Sequence, residues 1–198
     1  MSLIYLRRTY MHDLPAIKQI IAEAKQALKD AGSPQWQDGH PNNIMIVNDI
    51  VHHLSWALVV DNKIVGVATL QADPEESYKD ITDGEWHNDD DRYMTIHRVA
   101  ISNEYRGKHL SDFLFTNLLS IGQERGYHNF RIDTHEKNTA MRAVLKKFGF
   151  EYRGIVNVKD WIDTKRMAFE LNLPTHSLPV EHHVDNNFMK PIIKKGDK

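Results

Sequence analysis

Two basic side chains and a glycine stand between a strand-like stretch and a helix-like one. Residues Tyr93 to Ile101 are rich in β-branched and apolar types, which predicts a strand. Arg106, Gly107 and Lys108 follow, and the apolar residues after them recur at helical spacing, so we predict a helix that begins near Lys108. The first turn of a helix has free backbone N–H groups and partial positive charge. These residues therefore predict an anion site that suits a diphosphate; the alternative is a basic turn that is merely solvated.

Composition limits the classes of partner. The chain of 198 residues has 25 Lys and Arg against 27 Asp and Glu, so no overall field points to nucleic acid or to an anionic membrane. The absence of cysteine excludes disulfides, thiolate zinc sites and a cysteine nucleophile,. No apolar run approaches the roughly 18 residues of a membrane span. We therefore expect a soluble, cytoplasmic protein that binds neither nucleic acid nor membrane.

The 12 histidines raise the question of a metal site. Two adjacent pairs, His52-His53 and His182-His183, have no third ligand at a recognisable spacing, and the chain contains no His-Glu-x-x-His motif,. The sequence therefore predicts no metal.

Two separated segments resemble the GNAT superfamily of acetyl-CoA-dependent N-acetyltransferases. The family's fingerprint is Arg or Gln, two residues, Gly, one residue, then Gly or Ala. Arg106 fits this pattern, while His109 stands at the Gly position and Ser111 at the Gly-or-Ala position. Further along, Asn138 precedes a predicted helix that ends in Gly149-Phe150, which is similar to the family's second element. The resemblance implies an acyltransferase that uses acetyl-CoA as its acyl donor.

The resemblance also assigns residues to the two substrates. It implies that the strand backbone, the phosphate turn and the asparagine side chain hold acetyl-CoA, at Val99, Ala100, Ile101, Arg106, Gly107, Lys108, His109, Leu110, Ser111 and Asn138. It implies that the loop after the first helix forms one wall of the acceptor pocket, at Trp36 and Gln37. The alternative for Trp36 is that it simply closes the core.

A base must take the proton of the attacking amine. Many relatives use a Glu on the strand before the phosphate turn, where this chain has Thr95 and His97 on one face,. His97 is our candidate, because an imidazole can be neutral at cellular pH; the alternative is a hydrogen-bonded core histidine. His135, beside Glu136 after the next predicted strand, is a second candidate base.

The leaving thiolate must also gain a proton. In the family a Tyr seven residues after the Asn often supplies it, and that position here is Leu145. Tyr152 or water would then take this role.

The order of predicted elements indicates the architecture. We predict one α/β domain over residues 1–173, with a mixed, mostly antiparallel sheet of about seven strands flanked by four helices. Residues 174–198 are rich in Pro, His, Asn and Lys and form a tail or arm. This tail could lie on its own domain or on a neighbouring subunit, which leaves a homodimer open.

The acidic stretch at residues 73–91 predicts a solvated loop, although it also contains Tyr78 and Trp86. The alternative is a negative rim that concentrates a cationic amine near the thioester. The whole pattern predicts an enzyme that moves an acetyl group from acetyl-CoA to a primary amine of a small molecule or peptide, by direct attack on the thioester. The alternative is a non-catalytic acyl-CoA sensor or interaction module on the same fold.

Overall fold

The fold is a single mixed sheet with helices on both faces. The computed structural model describes residues 2–72, 74–87, 92–159 and 162–174. This part of the chain contains seven strands: β1 Ile4–Arg8, β2 Ser55–Val60, β3 Lys63–Gln71, β4 Tyr93–Ile101, β5 Asn129–Thr134, β6 Glu151–Asn157 and β7 Lys165–Asn172. It also contains four α-helices: α1 Leu14–Asp30, α2 Asn43–Val51, α3 Leu110–Glu124 and α4 Thr139–Lys147. The predicted fold class is confirmed.

Two expectations stay as predictions. Of the predicted tail, only Pro174 falls within the described residues, so the domain boundary and the homodimer stay predictions.

Within the described ranges, none of the helices combines the length and the apolar character that crossing a membrane requires.

The strands follow the order β1-β2-β3-β4-β5-β7-β6, and only the central pair β4–β5 is parallel. A parallel pair needs a crossover connection, and α3 provides it. The pairing of β4 with β5 runs from Tyr93 opposite Asn129 to Thr95 opposite Arg131 and stops there. Beyond this point the two strands separate, so their facing edges leave a gap in the middle of the sheet.

Two clusters of apolar side chains hold the helices on opposite faces. One cluster joins α3 and α4 to the sheet and includes Leu58, Leu70, Ile96, Leu114 and Leu145. The other joins α1 and α2 to the sheet and includes Ile17, Ile20, Ile46, Ile50 and Val67. Consecutive strand residues point to opposite faces, so β3 contributes to both clusters.

A β-bulge interrupts β4 next to the gap. Val67 pairs with Ala100, but Thr69 pairs with His97, so β4 carries one extra residue there. Arg98 in the bulge has a φ of 52°, a left-handed conformation that costs a non-glycine residue roughly 1–2 kcal/mol. Its guanidinium makes two bonds to Asp49 of α2, Nε to Oδ2 at 2.5 Å and Nη2 to Oδ1 at 2.8 Å. The ion pair therefore ties the bulge to the helix below it.

The acidic stretch is only partly solvated, which corrects the expectation of a loop in water. Its described acidic residues are mostly exposed, but Tyr78 and Trp86 are 2% and 6% exposed. The indole of Trp86 donates to the backbone carbonyl of Tyr78 at 2.8 Å. The buried guanidinium of Arg131 lies 4.1 Å from the ring centres of both Trp86 and Tyr93. The two aromatic side chains thus pack residues 74–87 onto the sheet, while residues 88–91 lie outside the described part.

A short two-bond bridge fixes the same segment to strand β6. The Thr82 N–H donates to the Ile155 carbonyl at 2.8 Å, and the Ile155 N–H donates back to the Thr82 carbonyl at 2.7 Å. Gly154 has a φ of 151°, and a Cβ added to it would lie 2.5 Å from the Thr82 carbonyl oxygen. The segment can approach β6 this closely only because residue 154 has no side chain.

We therefore expect Gly154→Ala to lower the free energy of unfolding by about 2–4 kcal/mol, because it adds backbone strain and a steric clash. Gly32 also has a positive φ, of 70°, but has nothing within 4 Å of its added Cβ. Gly32→Ala is thus the matched control, with an expected loss of about 1 kcal/mol. Urea unfolding measures both losses, and an equal or smaller loss for Gly154→Ala would contradict this account.

Candidate functional site

A cavity of about 530 Å³ occupies the gap between β4 and β5. Residues 96–101 of β4 and residues 132–134 of β5 form its two sides. The inner face of α1, the turn before α3 and the start of α4 complete the lining. The open strand edges therefore face a space that runs towards the first turn of α3.

Free backbone donors gather at that end of the cavity. Among the described residues, no protein group accepts a hydrogen bond from the backbone N–H groups of residues 107–111, and the next N–H, of Asp112, donates to the His109 carbonyl at 3.0 Å. His109 has a φ of 56° and Gly107 a φ of 74°. The left-handed conformation of His109 delays the start of α3 to Leu110, two residues after the predicted start. Glycine adopts this conformation most easily, so His109 has a backbone conformation that would suit the Gly of the GNAT fingerprint at this position.

Helix α1 fixes the position of this turn. The Glu23 carboxylate accepts hydrogen bonds from the Asn103 N–H at 2.8 Å and from the Ser102 hydroxyl at 3.0 Å. The backbone N–H of Asn103 lowers the pKa of the Glu23 carboxyl below its ordinary value. Arg106 lines the cavity, whereas the ammonium of Lys108 lies 4.5 Å from the Tyr105 ring centre and outside the lining. Lys108 can thus add charge near an anion without forming the cavity wall.

The predicted donor-binding residues mostly come together at this cavity. Backbone or side-chain atoms of nine of the ten predicted residues line it, all except Lys108: Val99, Ala100, Ile101, Arg106, Gly107, His109, Leu110, Ser111 and Asn138.

Asn138 opens helix α4, as the sequence predicts. Its Oδ1 accepts from the Met141 N–H at 3.2 Å, and its Nδ2 donates to Gln35 Oε1 at 3.2 Å. The same Gln35 oxygen accepts from the Thr134 hydroxyl at 3.3 Å and from the His135 N–H at 3.2 Å. Asn138 therefore caps the helix, and Gln35 joins the loop after α1 to the end of β5.

Gln35 and Trp36 line the cavity, whereas Gln37 does not. The side chain of Gln37 donates instead to the backbone carbonyls of Lys25 at 3.0 Å and of Gln35 at 3.2 Å. Trp36 has a φ of 68° and packs against the cluster beneath α1 and α2. The loop therefore lines the cavity with Gln35 and Trp36, and Gln37 lies outside the lining.

His97 lies beside a carboxylate at the narrow end of the gap, which is the end next to the last β4–β5 pair, Thr95 and Arg131. Its side chain is 16% exposed, and its Nε2 lies 3.6 Å from Glu75 Oε1, within range of an ion pair but too far for a hydrogen bond,. The neighbouring imidazole lowers the pKa of the Glu75 carboxyl below its ordinary value. Nε2 is buried and has no hydrogen-bond partner among the described residues, and His97 lines the cavity.

His135 lies outside the lining, and both its ring nitrogens are engaged. Nε2 pairs with Asp163 Oδ2 at 3.0 Å, and Nδ1 accepts from the Lys137 N–H at 3.1 Å. Both ring nitrogens are therefore already hydrogen-bonded and not available to take a proton from a substrate. The two bonds hold the loop between β5 and α4 instead. Leu145 is fully buried in the core, and Tyr152 lies outside the lining with its ring packed edge-on against Phe169.

A second carboxylate, Asp133 on β5, lines the same cavity as His97, and sequence reasoning missed it. The Tyr78 hydroxyl donates to Asp133 Oδ1 at 2.8 Å. Burial, reinforced by the adjacent carboxylate, raises the pKa of the Tyr78 phenol well above its ordinary value, so the phenol stays a donor. The sequence offers one indirect signal for this contact: Tyr78 is an aromatic residue in an otherwise polar stretch, which indicates that the stretch packs on the sheet.

In the described part of the chain, no group of three or more His, Asp or Glu side chains could hold a metal ion. The cavity is thus lined by backbone donors of the turn before α3, by the imidazole of His97 and by the carboxylate of Asp133, while Glu75 lies behind the imidazole, outside the lining.

Comparison with known proteins places this arrangement in a family. A sequence model described as the acetyltransferase (GNAT) family matches residues 16–150. A GNAT-family acetyltransferase structure from Streptococcus agalactiae is 33% identical, with a TM-score of 0.78 over 87% of this chain and 96% of that chain. None of the curated proteins is significantly similar in sequence.

Two more distant structures share the fold. A GNAT-family acetyltransferase from Listeria monocytogenes is 19% identical, with a TM-score of 0.66 over 86% of this chain and 95% of that chain. The PaiA N-acetyltransferase from Thermoplasma acidophilum, solved in complex with coenzyme A, is 16% identical, with a TM-score of 0.63 over 86% of this chain and 99% of that chain. With the family match and the streptococcal relative, these likenesses lead to one conclusion: the chain belongs to the GNAT acetyltransferase family.

Proposed function

We propose that the protein transfers an acetyl group from acetyl-CoA to a primary amine of a small molecule or peptide. The observation that carries this proposal is the run of backbone N–H groups at residues 107–111 that have no acceptor among the described residues and that adjoin the open edge of β4. A chain without cysteine fits a reducing compartment,, and we place the reaction in the cytoplasm.

The turn before α3 would hold the diphosphate of the donor. Its N–H groups, the positive end of the α3 dipole and the charge of Arg106 all favour an anion there. The open backbone of Val99, Ala100 and Ile101 would bond the pantetheine arm, and one N–H of this strand would polarise the thioester carbonyl. The Thermoplasma relative, which was solved with coenzyme A, supports this assignment by its fold.

The narrow end of the gap would hold the amine. The amine nitrogen attacks the thioester carbon, the carbon–sulfur bond breaks, and the proton of the amine passes to Nδ1 of His97. Glu75, on the opposite side of the ring at Nε2, would stabilise the imidazolium that forms. Because the position of the family's Tyr is the buried Leu145, the leaving thiolate would take its proton from water.

The buried Leu145 also favours a second candidate, an acyl-CoA-binding module that does not catalyse transfer. Free thiol measured across a panel of amines separates the two, because only an enzyme releases thiol in proportion to the acceptor.

We expect Ser111→Glu to weaken CoA binding by about 100-fold, or roughly 2.7 kcal/mol, because it places a carboxylate against the diphosphate. Ser120→Glu makes the same change on the same helix, roughly 13 Å further along its axis, and should leave the affinity unchanged. Isothermal titration calorimetry measures both variants, and equal affinities would place the CoA site elsewhere.

We expect His97→Gln to lower kcat by about 100-fold, the contribution typical of a general base, with little change in the Kd for CoA. Stopped-time thiol assays give the rate, and calorimetry gives the affinity. A parallel loss of both quantities, or of neither, would remove His97 from the role of base.

Glu75→Gln should shift the pH dependence of the reaction. The lowered pKa of Glu75 keeps this carboxylate ionised at neutral pH, 3.6 Å from His97 Nε2. Because a carboxylate stabilises a cation beside it, its removal should move the acidic limb of the kcat/KM profile to lower pH. Glu76→Gln, at an adjacent side chain that is 73% exposed, is the matched control, and identical profiles for both variants would contradict the pairing.

A further inference from the structure

We infer that the acceptor is an alkylamine without a carboxylate beside its reacting nitrogen, and that Asp133 is the side chain that binds its ammonium form. This inference rests on the proposed function, since it names the class of amine that the same cavity takes.

The first step is the position of Asp133. Thr95 and Arg131 form the last pair between β4 and β5, and His97 and Asp133 each follow two residues later. Side chains two residues apart lie on one face of a strand, so the imidazole and the carboxylate flank the gap where it starts to open. An amine that attacks a thioester in this gap would pass between them.

The second step is the bonding of this carboxylate. Asp133 is half-buried, and its Oδ1 is held by the buried Tyr78 hydroxyl. Among the described residues, no Lys, Arg or His forms an ion pair with Asp133. A partly buried carboxylate without a cation is stabilised by a cationic ligand. Tyr78 fixes one oxygen and leaves the other for an ammonium group.

The third step concerns the neighbouring charges. Glu75 adds a second negative charge on the far side of His97. The nearest cations on the strands are already neutralised, since Arg98 pairs with Asp49 and Arg131 pairs with Glu170. Asp133 and Glu75, with no unpaired guanidinium beside them among the described residues, attract an ammonium group and repel a carboxylate.

The other cationic side chains of the lining belong to loops and not to the two strands beside the gap. Arg106 belongs to the turn before α3, and Lys137 belongs to the loop between β5 and α4. We expect both to contact the donor's phosphates rather than a group beside His97. An α-amino acid would therefore find no partner for its carboxylate where its amine reacts.

The test uses acceptor pairs that differ by one carboxylate: phenethylamine against phenylalanine, and butylamine against norvaline. With acetyl-CoA as donor, we expect kcat/KM to be about 100-fold higher for the amine of each pair. Asp133→Asn should lower kcat/KM for the amines by about 30-fold and reduce the preference to a few-fold, with unchanged CoA affinity. Equal use of both members of each pair would overturn the inference.

Two further variants test whether the preference for amines comes from a local contact with Asp133, from the general negative field of the acidic stretch, or from misfolding. Asp80→Asn removes a carboxylate from the acidic stretch at residues 73–91, at an exposed position outside the cavity lining. This variant should keep the full preference for amines over amino acids. Tyr78→Phe keeps the ring but frees Asp133 Oδ1, so we expect a loss of about 3- to 10-fold in kcat/KM for the amines alone. Equal effects of Asp80→Asn and Asp133→Asn would overturn the assignment to Asp133.

A binding experiment distinguishes this inference from the proposed function. Calorimetry of the same four compounds with CoA-saturated protein should show tighter binding of the amines, lost in Asp133→Asn. If this preference appears while no compound elicits thiol release, the ammonium site stands and the transferase proposal falls. If thiol is released equally from amine and amino acid, the transferase proposal stands and the ammonium site falls.

Discussion

The ion pair between Arg98 and Asp49 is the constraint on which the site depends. Arg98 adopts a left-handed conformation inside a strand. Without its tertiary contacts, this residue would relax to the extended conformation of a regular strand. The two bonds to Asp49, with a third to the same carboxylate from the Thr69 hydroxyl at 2.8 Å, hold the bulge against α2. A buried ion pair of this kind contributes little net stability. It fixes geometry instead, because a bulge bends its strand and changes the direction of the residues that follow. The divergence of β4 from β5, and hence the cavity, begins at this place in the sheet.

A second buried network supports the part of the cavity beside His97 and Asp133. Arg131 lies between two aromatic rings and donates to Glu170 at 2.9 Å, and the same carboxylate accepts from the His87 N–H at 2.8 Å. Residues 74–87 are thereby held on the sheet although most of their side chains are polar. This segment brings Glu75 to His97 and Tyr78 to Asp133. The chemistry of the narrow end is thus assembled by contacts between parts of the chain that are far apart in sequence.

That distribution explains how much could be predicted from the sequence. The strand at Tyr93–Ile101 has its predicted limits, because its apolar pattern is local and strong. The turn between β4 and α3 was also predictable, since its residues are contiguous and need only a strand before them and a helix after them. The start of α3 differs by two residues because the left-handed His109 postpones the first helical turn, which no periodicity reveals.

Contacts between distant residues were beyond reach. Gln35 rather than Gln37 faces the cavity because of the turn geometry around Trp36, which local composition does not determine. The engagement of His135 depends on Asp163, and the place of Asp133 in the site depends on where the strands separate. A residue type can suggest chemistry, but only the packed sheet decides which side chains share one space.

The oxygen of Gln35 illustrates a wider consequence. It receives hydrogen bonds from Thr134, His135 and Asn138, and Trp36 next to it forms part of the opposite wall of the cleft. A molecule that displaces the first turn of α4 must therefore also disturb the loop beside Trp36. Ligand binding in one half of the cleft would in this way change the shape of the other half, and by thermodynamic linkage the reverse would hold as well.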